Sequence, residues 1–300
     1  MTAISSDITE TPRPKMRAGH MLLLIVGVLL AAGSQTLFRN IDYLALGLVA
    51  VAAGVALILL GAVGLGRSIR SQSVPTPTDS EGSGYPAQLE GNLDPTLSRG
   101  MWLVKWLLAV PHYIVLAILW SAFPVVVLAS GLMILFTGRY PAALFEFVVG
   151  VLRWNWRVAF YATGVLGTDK YPPFTLARTD YPATFDVSYP ARLSRWKVLV
   201  KSWLLAFPHL IIVSVLAGVA WAAVNGQAVG GLLGLLVFIA ALILLFTKVY
   251  NQGLFNLVMG IQRWVYRVFA YTSLLRDDYP PFRLDQGPLE SSSSLSAERG

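Results

Sequence analysis

Lys105-Trp106-Leu107-Leu108-Ala109-Val110-Pro111-His112 returns later in the chain as Lys201-Ser202-Trp203-Leu204-Leu205-Ala206-Phe207-Pro208-His209, with one residue inserted. Each copy sets a lysine, an apolar run and a Pro-His pair at the head of a long apolar stretch. The match extends in both directions. Upstream, Tyr85-Pro86-Ala87 recurs 96 positions on as Tyr181-Pro182-Ala183, and Leu97-Ser98-Arg99 as Leu193-Ser194-Arg195 at the same offset. Downstream, Leu135-Phe136-Thr137 matches Leu245-Phe246-Thr247, Gly150 matches Gly260, and Arg153-Trp154 matches Arg263-Trp264. Arg157-Val158 matches Arg267-Val268, and Tyr171-Pro172-Pro173-Phe174 closes the first copy as Tyr279-Pro280-Pro281-Phe282 closes the second. So many matches in one order identify a tandem duplication. Unit 1 covers residues 85–176 and unit 2 residues 177–284.

Composition says which solvent these units face. Apolar residues make up 55% of the chain and charged residues 13%, against roughly 45–50% and 25% in a soluble domain. A chain with so little charge cannot cover a water-facing surface, which points to lipid. The absence of cysteine excludes disulfides, zinc–thiolate and iron–sulfur sites and thiol catalysis. The net charge of +7 comes from basic residues flanking apolar segments. It reads as membrane orientation, with no nucleic-acid stripe.

Outside the units, residues 1–20 are polar and basic (Arg13, Lys15, Arg17) and are expected to be disordered. Met21–Phe38 is long enough to be a first crossing. The rival reading is a signal peptide, since a basic region, an apolar run and Ala31-Ala32-Gly33 resemble a cleavage context. The length of the run favours retention. Tyr43–Gly66 is a second crossing, closed by Arg67 and Arg70, so residues 21–70 form a transmembrane hairpin. Residues 71–84 (SQSVPTPTDSEGSG) are a linker in composition, and 285–300 a disordered tail.

In unit 2 the apolar stretch Val198–Thr247 exceeds one crossing, and Asn225-Gly226-Gln227 supplies a turn signal. Crossings at Val198–Val224 and Ala228–Thr247 are expected. Unit 1 offers only Met101–Thr137, about 55 Å as helix. That is either two short crossings joined near Ser121–Pro124 or one crossing after an interfacial segment; repeat symmetry favours two. The expected fold is therefore all-α and transmembrane, with about six membrane-spanning helices and two like-oriented units. Pro111 and Pro208 predict a bend near each histidine. This threading puts the N- and C-termini and every cation of both units on the cytoplasmic side of a cell (plasma) membrane, leaving Arg39 outside. Ala142–Val165 and Gln252–Leu274 read as interfacial amphipathic helices, each with a narrow polar stripe. Short extended cytoplasmic segments, Phe174–Leu176 and Ala183–Tyr189, alternate like strands and pair with Ala87–Leu93 and Phe282–Leu284.

Three constellations are candidates for chemistry. Arg153, Arg157, Arg263 and Arg267 lie at helical spacing, and their forks match phosphate oxygens, which makes anionic lipid headgroups the expected partners. The structural alternative is anchoring, with a Glu146–Arg153 salt bridge. His112 and His209, with Lys105 and Lys201, sit at membrane depth, where a proton relay or anion site would need such groups. Neither has an acid in its own apolar segment. The structural alternative is a histidine bonded to a carbonyl freed by proline, beside a snorkelling lysine. Asp169, Asp277, Asp278, Glu90 and Asp186 form the third set, expected to be solvated or paired with Arg99 and Arg195. No metal spacing, phosphate loop or nucleophile elbow appears, so no cofactor and no enzymatic activity are expected.

The order YP…LSR…VKWLLAVPH…LFTGRYP…LF…GVLRW…RV…Y…YPPF resembles the bacterial membrane family known as domain of unknown function 4389, in two copies over Tyr85–Leu284. Unit 2 departs from the pattern at Lys248-Val249-Tyr250-Asn251, where unit 1 has Gly138-Arg139-Tyr140-Pro141. If that turn carried an activity, unit 1 alone would keep it. The resemblance implies a membrane protein and brings no activity with it. The leading functional expectation is a non-catalytic module that assembles with other membrane proteins or organises lipid. A small-solute or lipid transporter or channel comes second, and an intramembrane enzyme last.

Overall fold

The computed structural model describes residues 18–39, 41–70, 85–217 and 231–287. The linker, the Asn225-Gly226-Gln227 turn, residues 1–17 and the tail from 288 lie outside the described residues.

The N-terminal segment folds as the expected helical hairpin, α1 (Ala18–Gly33) and α2 (Leu44–Arg70), joined through two short 3-10 turns. Glycine makes the close approach. A Cβ on Gly27 would lie 2.8 Å from the Gly54 carbonyl oxygen, and one on Gly54 2.8 Å from that of Gly27. Between apolar helices in lipid, backbone-close packing replaces the hydrophobic drive. Leu24, Ile58, Ala62, Leu65 and Ile69, near the hairpin's base, join the main core. Leu44, Leu46, Leu48 and Val49, toward its tip, are exposed.

Two strands lie at the centre of the body, β1 (Ala87–Gly91) and β2 (Ala183–Val187), paired antiparallel. Leu89 faces Phe185 in the middle of the ladder, and Phe185 is the repeat equivalent of Leu89. Equivalent positions of the two units therefore meet across the ladder's own two-fold axis. That axis is the pseudo-dyad relating the units, and it runs perpendicular to the ribbon. Burial alternates along both strands, with Gln88, Glu90, Thr184 and Asp186 on the outer face. The expected pairing of the YP segments is thus found, whereas 174–176 and 282–284 are not strands.

Behind the ribbon lie α5 (Ala142–Ala162) and α9 (Gln252–Thr272). α5 packs on β2 and α9 on β1, so each unit's central helix rests on the other unit's strand. The interfacial position expected for these helices is corrected here. Phe147, Trp154, Trp156 and Phe160 of α5, and Phe255, Val258 and Met259 of α9, are wholly buried. The polar stripe faces protein.

The outer layer is α3 (Trp102–Leu108) and α4 (Val110–Thr137) in unit 1, and α6 (Arg195–Val200), α7 (Phe207–Ala217) and α8 (Leu232–Thr247) in unit 2. Pro111 opens α4 within its first turn, where its missing N–H has no bond to lose, so the expected bend is a helix break. In unit 2 the inserted residue is absorbed by a π-helical turn at Lys201–Leu205, the usual way a helix takes in one extra residue. Lys201 and His209 thereby regain the places of Lys105 and His112.

The expected pair of crossings in unit 1 is corrected as well. α4 runs unbroken through Ser121–Pro124 for 28 residues, about 42 Å. Its ends have equivalents in unit 2. His209 follows His112 by 97 positions, whereas Thr247 follows Thr137 by 110, so unit 2 carries 13 additional residues between the same two ends. Three segments are long and apolar enough to cross a membrane, 18–38, Leu44–Arg70 and Val110–Thr137; α7 and α8 are shorter apolar helices. Six such helices are not found among the described residues.

Candidate functional site

Arg153 is buried and fully engaged. Its Nε donates to the Phe185 carbonyl at 2.9 Å, Nη1 to the Leu176 carbonyl at 2.9 Å, and Nη2 pairs with Asp186. Arg178 holds the same carboxylate from outside at 3.0 Å. Arg263 repeats the strand contact across the dyad, with Nε to the Leu89 carbonyl at 2.9 Å, and its Nη1 donates to the Asp285 carbonyl at 2.6 Å. One turn on, Arg157 donates to the Thr175 and Ala177 carbonyls at 3.2 and 2.7 Å. Arg267 pairs with Asp285 at 2.6 Å. The four arginines clasp the ribbon and the closing loops from below. Each is at most 2% exposed, which leaves no guanidinium surface for the headgroups expected there. Asp186 takes the place expected for Glu146 as Arg153's ion-pair partner.

Burial costs a cation several kcal/mol unless it is paired, and the two lysines meet that condition identically. Lys105 Nζ lies 2.7 Å from Asp169 Oδ1 and donates to the Thr168 carbonyl at 2.7 Å. Lys201 Nζ lies 3.1 Å from Asp277 Oδ1 and donates to the Arg276 carbonyl. The ammonium groups also face the Tyr161 and Tyr271 rings, at 5.3 and 4.7 Å. The second oxygens of Asp169 and Asp277 accept from the Ser98 and Ser194 amides, both at 2.6 Å, which gives the repeated LSR motif its structural role. Burial lowers the Lys105 pKa despite Asp169, and pushes Lys201 down to about 8 despite Asp277. Burial works to raise the Asp169 carboxyl, but Lys105 and Ser98 hold it below its ordinary value. Neither lysine snorkels, and of the acids expected to be solvated or beside Arg99 and Arg195, Asp169 and Asp277 belong to Lys105 and Lys201, and Asp278 to Arg276.

The histidines are set in an aromatic cage, again twice. His112 Nδ1 accepts from Trp154 Nε1 at 3.1 Å, and His209 Nδ1 from Trp264 Nε1 at 3.1 Å. An acceptor at Nδ1 fixes the neutral tautomer with its proton on Nε2. Phe174 stacks on His112 with ring centroids 3.9 Å apart, and Phe282 on His209 at 4.0 Å; Tyr171 and Tyr279 lean in at 4.9 and 4.8 Å. Each YPPF loop is thereby pinned to the head of the outer helix. The sequence brought histidine and lysine to one helix but not the tryptophan 42 residues later that donates to His112. The parallel recurrence of Trp154 and Trp264 was the signal that could have found it.

Chemically, this arrangement holds segments together. No carboxylate bonds to either histidine among the described residues, and no group of three metal-ligating side chains occurs there. An open groove of about 450 Å³ carries Asp94, Lys170 and Asp180, but one Asp94 oxygen is already occupied by the amide and hydroxyl of Thr96.

The model of a family described as Domain of unknown function (DUF4389) matches residues 99–175 and again 222–283. That of a second, Domain of unknown function (DUF6458), matches residues 18–87, the hairpin and linker. No curated protein and no solved structure matches the chain.

Proposed function

From a chain that carries two tandem copies of the DUF4389 domain behind a DUF6458 hairpin, we propose a non-catalytic membrane module that organises lipid and neighbouring membrane proteins. One observation carries the proposal. Every buried lysine, histidine and stripe arginine is engaged by the protein's own carbonyls, carboxylates or indoles, and the lysine and histidine settings recur in the same geometry in both units. A relay or an ion pathway needs such groups free to change partners.

In this reading the α1–α2 hairpin crosses the bilayer, and the body sits at the hairpin's base with the ribbon's polar face in water. The outer faces of α3, α4, α7 and α8 lie in the adjoining leaflet, where Ile114, Leu128, Leu132, Leu235 and Phe246 meet acyl chains. Two features support an in-plane α4. Cations flank it at both ends, Arg99 before and Arg139 after, which the positive-inside bias disfavours for a crossing helix. Its two ends also match those of α7–α8, between which unit 2 has 13 more residues. The dyad then runs along the membrane normal, and both units face the same way.

The test replaces a whole pair with apolar residues of similar size, Lys105→Met with Asp169→Leu. A buried ion pair exchanged in this way is often neutral for stability. A module of this kind keeps its fold, its membrane retention and the proteins cross-linked to it in cells. An enzyme or carrier using the pair would fold but lose product formation or liposome flux. A protein that is monomeric and captures no neighbour on in-cell cross-linking would sink the assembly role.

A further inference from the structure

The exposed arginines are elsewhere. At the foot of α4 the chain turns through Gly138, and the segment after β2 comes back alongside: the Leu193 amide donates to the Gly138 carbonyl at 2.9 Å, and the Arg195 Nε would lie 3.6 Å from a Cβ on Gly138. This juxtaposition gathers Arg139, Arg192 and Arg195 at one corner, all exposed. No side-chain hydrogen bond or ion pair engages any of the three among the described residues. Asp277, whose carboxylate meets this segment at the Ser194 amide, is also held by Lys201. Beside the arginines Trp196 is 79% exposed, and Phe136, in the last turn of α4, is 73% exposed. Leu128, Leu132 and Met133 continue the exposed apolar strip along α4. Exposed aromatics beside a cluster of unpaired arginines set boundary anchors next to groups that match a phosphate.

We infer that this corner is a docking site for the headgroup of an anionic phospholipid, with Arg139, Arg192 and Arg195 on the phosphate and Trp196 and Phe136 against the start of its chains. The internal repeat supplies a control. The equivalent corner of unit 2 has Thr96, Arg99 and Gly100 where this one has Arg192, Arg195 and Trp196, and Lys248 and Val249 where this one has Gly138 and Arg139. Two cations remain there, with Phe246 in the place of Phe136 but no counterpart of Trp196, so the module is lipid-selective at one of its two corners.

The inference rests on the membrane reading above, and one experiment separates the two. The full chain is reconstituted in phosphatidylcholine vesicles with trace spin-labelled phosphatidylglycerol or phosphatidylcholine, and the immobilised fraction of each label is measured. The native protein should immobilise phosphatidylglycerol preferentially, by roughly fivefold for each arginine engaged at low salt. Arg139→Gln, Arg192→Gln and Arg195→Gln together should abolish most of that preference, because exposed side chains are replaced and the core is untouched. Arg99→Gln with Lys248→Gln should leave it largely intact. Equal immobilisation of both lipids by the native protein, or equal loss in the two variants, overturns the inference. Immobilisation of neither lipid overturns the membrane reading itself.

Discussion

Replacing Arg153 with methionine separates a structural clasp from a headgroup ligand. The substitution keeps the apolar stem of the side chain but removes three donors, those serving the Phe185 carbonyl, the Leu176 carbonyl and Asp186. An orphaned buried acceptor costs about 1–3 kcal/mol. Phe185 belongs to the ladder and Asp186 keeps Arg178 and partial exposure, so the larger figures for a broken buried pair are discounted. The net loss should be about 3 kcal/mol, a fall in Tm of roughly 6–12 °C for a body of this size. Arg153→Lys should recover little, because one ammonium cannot span three acceptors set around a planar fork. The assay is thermal unfolding in detergent, followed by tryptophan fluorescence, with phosphatidylglycerol binding measured in parallel. A variant that melts within about 2 °C of the native protein yet binds less lipid would refute the clasp and restore the headgroup reading.

Gly66 lies where α2 crosses α5, and a Cβ there would overlap the Ala143 carbonyl oxygen. Gly66→Leu should therefore detach the hairpin's base from unit 1, seen as a lower melting temperature in the same detergent assay. Trp154→Phe removes the indole donor to His112 and should cost about 1 kcal/mol. It should also release the imidazole from its fixed tautomer, read by ¹⁵N chemical shifts; an unchanged shift pattern would contradict the cage. For Lys201 the sign follows from its lowered pKa. Between about 8 and the ordinary 10.5 the unfolded chain binds more protons than the folded one, so stability should rise with pH across that window. Lys201→Met should flatten the rise in a pH series of detergent melts.

The duplication, the hairpin and the membrane character were legible because each depends on residue order and apolar run length. The pairing of β1 with β2 was legible from alternation, though the crossed packing of each strand on the other unit's helix was not. The arginine stripes misled for a physical reason. Amphipathy records that one face of a helix meets polar atoms, and buried carbonyls satisfy a guanidinium as well as phosphates do. The same limit hid the lysine partners. Asp169 lies 64 residues beyond Lys105 and Asp277 lies 76 beyond Lys201, and only the fold of each YPPF loop brings them together. In unit 1, hydropathy alone could not separate one long helix from two short ones.

The in-plane lie of α4 is tested most directly by two single cysteines in this cysteine-free chain, Gly100→Cys before the helix and Arg139→Cys after it. In intact cells an impermeant maleimide should label neither, and after permeabilisation it should label both. Labelling of one from outside and the other only from inside would mean that α4 crosses the bilayer, and would contradict the arrangement of both units about the membrane normal.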